Sequence, residues 1–88
     1  MNVEFKKSFL KEIKKLKNKD LKNAIHDCII QVESASTLAQ VKNLKKLTGY
    51  DLYYRIRIGE YRIGIKIEKT TTYFVVFEHR KDIYKVFP

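Results

Sequence analysis

Cysteine is nearly absent. Cys28 stands alone, so no intramolecular disulfide can form, and it makes no metal motif with His26 or His79. No apolar run approaches the roughly 18 residues that a membrane-spanning helix needs. The opening residues, MNVEFKKSF, carry charge with no long apolar stretch behind it, which argues against a signal peptide. There is no phosphate-cradling glycine loop and no serine nucleophile elbow. Internal repeats and low-complexity linkers are missing as well. These absences leave one domain, residues 1–88, expected to be intracellular and cytoplasmic, with no metal, no cofactor and no membrane partner.

Carboxylates are scarce too. Ten Asp and Glu face 19 Lys and Arg, a net charge of +9 that favours polyanionic partners. The two cations are not mixed. All four arginines lie at or beyond position 55, whereas eleven of the fifteen lysines precede position 50. Lysine suits a solvated helix surface, and the planar fork of arginine suits bidentate phosphate recognition. The lysines therefore read as solubility and steering, the arginines as a site.

Along the chain, residues 2–5 (NVEF) form a short first strand. Phe9, Leu10, Ile13 and Leu16 recur at helical spacing between Lys6 and Lys17. After a break at Asn18-Lys19, Asp20 is the expected N-cap of a second helix over about 21–34. Its apolar face carries Leu21, Ala24, Ile25, Cys28, Ile29 and Val32. Cys28 falls on that face as a small hydrophobe, and His26 is expected to be exposed. Between Ser36 and Gly49 the periodicity weakens, and a further short helix or an ordered loop is expected. Beyond Gly49 helical spacing gives way to alternation. Strands are expected at about 52–58, 61–68 and 73–79, with turns at Gly59-Glu60 and Lys69–Thr72. The tail, HRKDIYKVFP, leaves the sheet in a turn or helical turn. Helices followed by an antiparallel meander predict an α+β fold, with an N-terminal helical hairpin packed on one sheet face.

The stretch YYRIRIGEYRIGIK, residues 53–66, is the most informative. Folded at Gly59-Glu60, it pairs Ile58 with Tyr61, Arg57 with Arg62, Ile56 with Ile63, Arg55 with Gly64 and Tyr53 with Lys66. Tyr54, Ile56, Ile58, Tyr61, Ile63, Ile65 and Ile67 then meet the helices. Tyr53, Arg55, Arg57, Arg62, Gly64 and Lys66 face away, towards solvent. Polar-out positions of a strand are ordinarily only a solvated face. Three features favour a phosphate site instead. Like charges directly opposite, Arg57 and Arg62, are destabilising, and one glutamate would avoid them. A glycine inside a strand, Gly64, signals a close approach. His79-Arg80 ends the next strand beside these groups.

Those residues carry a resemblance. L-x-x-L-x-G-Y, then YYRIRIGEYRIGI, then HRKDIY near the end, resembles the RelE branch of the RelE/ParE toxins of type II toxin–antitoxin pairs over nearly the whole chain. The resemblance implies an mRNA endoribonuclease, an mRNA interferase acting on the ribosome and held inactive by a cognate antitoxin. It carries functional positions onto Arg55, Arg57, Arg62, Arg80 and Tyr84. In such chemistry the ribose 2′-hydroxyl attacks the adjacent phosphate, leaving a 2′,3′-cyclic phosphate and a free 5′-hydroxyl.

The base is the open role. Some relatives have lysines where this chain has Arg55 and Arg57, and arginine is a poor proton acceptor. His79 is the natural candidate because histidine titrates nearest neutrality. By alternation, though, His79 and Arg80 point to opposite faces if the strand runs through both, and closing the sheet edge is an equally good role for His79. Tyr84 either acts as a base activated by arginines, stacks on a nucleobase, or anchors the tail with Phe87. Glu60 is a turn residue before it is anything else. Two other functions fit the same features: a ParE-like toxin that inhibits DNA gyrase without nuclease activity, and a non-catalytic RNA-binding domain.

Overall fold

Five strands and three helices account for the chain, and the computed structural model describes all of it, Met1–Pro88. The elements are β1 (Asn2–Phe5), α1 (Lys7–Lys15), α2 (Lys19–Ser34), β2 (Leu44–Lys46), β3 (Tyr53–Ile58), β4 (Tyr61–Glu68), β5 (Thr71–His79) and α3 (Ile83–Val86). They build one sheet in the order β1-β5-β4-β3-β2. Only the β1–β5 pair is parallel; the others are antiparallel. The α+β architecture with a helical hairpin on one face is the one the sequence predicts.

Local chemistry explains most boundaries. The α1–α2 connection ends at Asn18, not Asp20. The Asn18 side chain accepts a hydrogen bond from the Leu21 N–H at 3.0 Å and caps α2 two residues earlier than expected. Gly59 takes φ +57° in the β3–β4 turn, where a Cβ would be strained. The β4–β5 turn is tighter than the sequence suggests: Lys69 takes φ 57°, and β5 begins at Thr71.

Residues 36–49 depart most from expectation. A single 3₁₀ turn, Leu38–Gln40, leads to Asn43 at φ 62° and then to β2, which pairs with β3 as an edge strand. Asparagine tolerates the left-handed region better than most residues. The Asn43 carbonyl accepts from the Arg57 N–H at 3.2 Å, which starts the pairing. Three residues are too short for alternation to register as a strand, so the sequence offers no period to read.

The main core lies between the helices and the sheet. Phe9, Ile25 and Val32 from the helices pack on Ile56, Ile63, Ile65, Phe74 and Phe77. Phe5, Phe9 and Phe74 bring their rings within 5.4–5.9 Å of one another. A second, smaller cluster occupies the opposite face, where Leu47, Val76, Ile83 and Phe87 pack together against Tyr53. The cationic face is therefore only partly open to solvent: the C-terminal tail folds back and covers its middle.

Candidate active site

The β3–β4 hairpin has the register read from its sequence, with Arg57 opposite Arg62 and Arg55 opposite Gly64. Its two facing arginines avoid one another through separate acceptors. Arg62 Nη1 donates to the Gly59 carbonyl at 2.9 Å and the Tyr61 carbonyl at 2.8 Å. Arg57 Nη2 reaches Asn43 Oδ1 at 3.4 Å. Strand β5 also sets Glu78 directly across from Arg62. Burial pushes the Glu78 carboxyl above its ordinary range, and the charges of Glu12 and Asp82 push the same way against Lys15.

A bulge decides which side of β5 joins the arginines. Ile65 pairs with Phe74 but Gly64 pairs with Val76, so Val75 is an extra residue on β5. Beyond it every side chain changes face relative to an unbroken strand. His79 pairs with Tyr61 and lies against its ring, centroids 5.5 Å apart, on the side that carries Phe77. Its Nδ1 accepts the Lys81 N–H at 3.1 Å. Arg80 extends the ladder by one rung, its N–H donating to the Glu60 carbonyl at 2.8 Å, and so returns to the cationic face. There the Arg80 Nε forms an ion pair with Glu60 Oε2 at 2.8 Å.

Two adjoining clefts result. One, of about 490 Å³, is lined by Asn43, Lys45, Arg55, Arg57, Arg62 and Tyr84, among others. The next, of about 400 Å³, is lined by Arg55, Arg62, Arg80, Lys81 and Tyr84. Arg55 lies over the Tyr84 ring, guanidinium carbon to centroid 5.1 Å. Tyr84 itself is 73% exposed, so it faces the cleft and does not anchor the tail; Phe87 does that. A larger groove of about 700 Å³ opens between α2 and β3, floored by Ala24, Cys28, Ile56 and Ile58. It gathers no comparable set of cations, so volume is the wrong guide here.

Five of the six residues singled out from sequence thus stand together: Arg55, Arg57, Arg62, Arg80 and Tyr84. His79 stands apart, across the sheet. Gly64 also has a different reason from the one expected, because the group that approaches it is the Phe87 ring and not a ligand. Lys45 was not foreseen. It pairs with Arg55 across β2–β3 and lines the same cleft, and only the unrecognised edge strand hid it. The sequence marks Glu60 as a turn residue and carries no signal for its pairing to Arg80. No group of three or more His, Cys, Asp or Glu side chains is arranged to hold a metal ion. No helix is long and apolar enough to cross a membrane.

Comparison with known proteins identifies the family. Residues 3–84 match the family described as the ParE toxin of type II toxin–antitoxin systems. The chain is 40% identical over 92 aligned positions to Toxin RelE3 of Methanocaldococcus jannaschii, spanning all of both chains. It superposes on the toxin–antitoxin RelB–RelE complex of Methanococcus jannaschii with TM-score 0.78 and 38% identity, covering 96% of this chain and 98% of that one. The archaeal RelE–RelB complex of Pyrococcus horikoshii gives TM-score 0.74 at 22% identity over 90% and 93% of the two chains, which speaks to the fold alone. A cationic hairpin, a returning tail and these relatives together make the chain a member of the RelE/ParE family, the toxin component of a type II toxin–antitoxin system.

Proposed function

We propose that this toxin is an mRNA endoribonuclease of the RelE kind, working on the ribosome in the cytoplasm and silenced by a cognate antitoxin. The observation that carries the reading is the convergence of Arg55, Arg62, Arg80 and Tyr84 on adjoining clefts at the surface. Guanidinium forks at that density suit a phosphate that gains negative charge as it reacts. In the proposed step the ribose 2′-oxygen bonds to the adjacent phosphorus as the bond from phosphorus to the 5′-oxygen breaks. The 2′ proton passes to a base, and the departing 5′-oxygen takes up a proton. The products are a 2′,3′-cyclic phosphate and a 5′-hydroxyl.

Arg55, Arg57, Arg62 and Arg80 bind the phosphate and stabilise the charge that develops on it. The Tyr84 ring stacks on a nucleobase, or its hydroxyl handles a proton. The imidazole of His79 would need a rearranged strand end to reach the same phosphate. That distance favours a ribosome-dependent enzyme, in which the ribosome holds the messenger in an attacking conformation. The net charge of +9 suits an acidic antitoxin segment, and the solved relatives from Methanococcus jannaschii and Pyrococcus horikoshii are complexes with RelB.

The test is to add purified protein to translating ribosomes carrying a defined messenger and to map 5′ ends by primer extension. Discrete cuts at the decoding site, lost or strongly reduced in Arg80→Ala and Tyr84→Phe, are the expected result. Cuts on free RNA as well would mean that the protein supplies its own base, returning His79 to consideration. The family description names ParE, which keeps gyrase inhibition as the second reading. Intact binding with no cuts in either setting, together with blocked supercoiling, would establish it in place of the first.

A further inference from the structure

Gly64 does not need to be glycine for its backbone. The left-handed glycines of this chain are Gly49 and Gly59, and Gly64 sits in regular strand β4. What it supplies is space. A Cβ at position 64 would lie 2.7 Å from two ring carbons of Phe87 and 2.8 Å from a methyl of Val76. Those separations are well inside van der Waals contact, so any side chain there would displace the ring.

The ring is one of two points that hold α3 to the sheet. Ile83 is 0% and Phe87 6% exposed. They lie four residues apart, on one side of the turn, and the Phe87 N–H donates to the Ile83 carbonyl at 2.9 Å. Tyr53 closes the far side of the seat, its ring edge-on to Phe87 at 5.4 Å. A helical turn anchored at one point can swivel. Anchored at both, its rotation is set, and the side chain next to Ile83 has one direction to take. That side chain is Tyr84, and the direction is over Arg55.

The register adds the decisive link. Gly64, the floor of the Phe87 seat, is the cross-strand partner of Arg55. One rung of the hairpin therefore carries both the guanidinium that Tyr84 covers and the gap that orients Tyr84. We infer that Gly64 and Phe87 are positioning residues, a seat and a key that set the placement of Tyr84 in the cleft. Neither touches the substrate; both act through Tyr84. The kinetic part of this inference rests on the ribonuclease reading above, and the placement itself does not.

The test uses the full chain with Phe87→Ala, Gly64→Ala and Tyr84→Ala, and two readouts. The first is NMR of the Arg55 side chain, whose signals feel the ring current of Tyr84. Tyr84→Ala defines their positions without the ring, and Phe87→Ala and Gly64→Ala should move them towards that reference. The second is cleavage on programmed ribosomes. Phe87→Ala should lower the maximal rate by about 10- to 100-fold, with half-saturation changed by no more than about twofold, the signature of a misplaced reacting group. In a Tyr84→Ala background the same substitution should add no more than about twofold.

If Gly64→Ala does not fold, Phe87→Ala decides, because it leaves the sheet untouched. A folded Phe87→Ala whose Arg55 signals and maximal rate match the wild type overturns the inference. A wild-type protein that cuts nothing sinks the ribonuclease reading alone. In that case the Arg55 signals of the variants still support or overturn the seat.

Discussion

The two faces of the sheet solve different problems with the same strands. On the helix side, Phe9, Ile25 and Val32 close over Ile56, Ile63, Ile65, Phe74 and Phe77, and little but hydrocarbon meets there. On the other side Leu47 and Val76 hold down the tail beyond β5 through its own Ile83 and Phe87, amid the four arginines. The first face supplies most of the apolar burial, the dominant favourable term in folding. The second carries the candidate site. Alternation along β3 and β4 separates the two roles one residue at a time, so a change on one face need not be felt on the other. The comparison teaches that the like-charge cost is confined to the face that carries the smaller share of the core.

Phe74→Ala should have the largest effect on stability. The side chain is fully buried among Phe5 and Phe9, and its loss should cost about 3–5 kcal/mol, a large part of the stability of a domain this size. Chemical denaturation checks the loss. Cleavage per folded molecule should be unchanged, because Phe74 faces away from the cleft. A comparable loss of cleavage would mean that the faces are coupled.

Arg62→Glu should do the reverse. It removes the cation facing Arg57, but it also sets a second carboxylate across from Glu78 and loses two hydrogen bonds to turn carbonyls, so stability should change by no more than about 1 kcal/mol in either direction. Cleavage on ribosomes should fall by about 10²–10³-fold, the usual cost of losing one transition-state contact. A variant both unstable and still toxic would take Arg62 out of the site.

Glu78 sharpens the contrast, since it is an acid held on the cationic face at some cost. Its carboxyl is pushed above the ordinary 4.5, first by burial and then by Glu12 and Asp82. The folded state therefore binds this proton more readily than the unfolded state does. Stability from this group is fully present below pH 4.5 and is lost as pH rises through the folded value. Glu78→Gln should raise the melting temperature slightly at pH 7, with the gain vanishing on acidification below pH 4.5. Melting curves across that range test the sign.

Cys28, on α2, comes last, since its loss would change neither the fold nor the cleft. Burial pushes its thiol up to about 11. At pH 8 it should react with iodoacetamide about a hundredfold more slowly than an unfolded control, because the thiolate is the nucleophile. Equal rates would show that the burial of Cys28 does not suppress its thiolate.

The sequence by itself determined the helical hairpin, the register of β3 on β4 and the two faces of that hairpin. Each is written in a local period: Phe9, Ile13 and Leu16 at helical spacing, and isoleucines alternating with arginines around Gly59. It also placed the four arginines and Tyr84 in one candidate set through a family resemblance. Only the tertiary structure decided the rest. The edge strand that brings Lys45 beside Arg55 is three residues long, too short to have a period. The extra residue Val75 turns Arg80 towards the cleft and His79 away, and a run of apolar residues, Phe74 to Phe77, hides the bulge from any reading of alternation. Gly64 is a glycine because of a ring 23 positions later in the chain. Local periodicity encodes which way a residue faces, whereas which residue it meets depends on how distant segments pack.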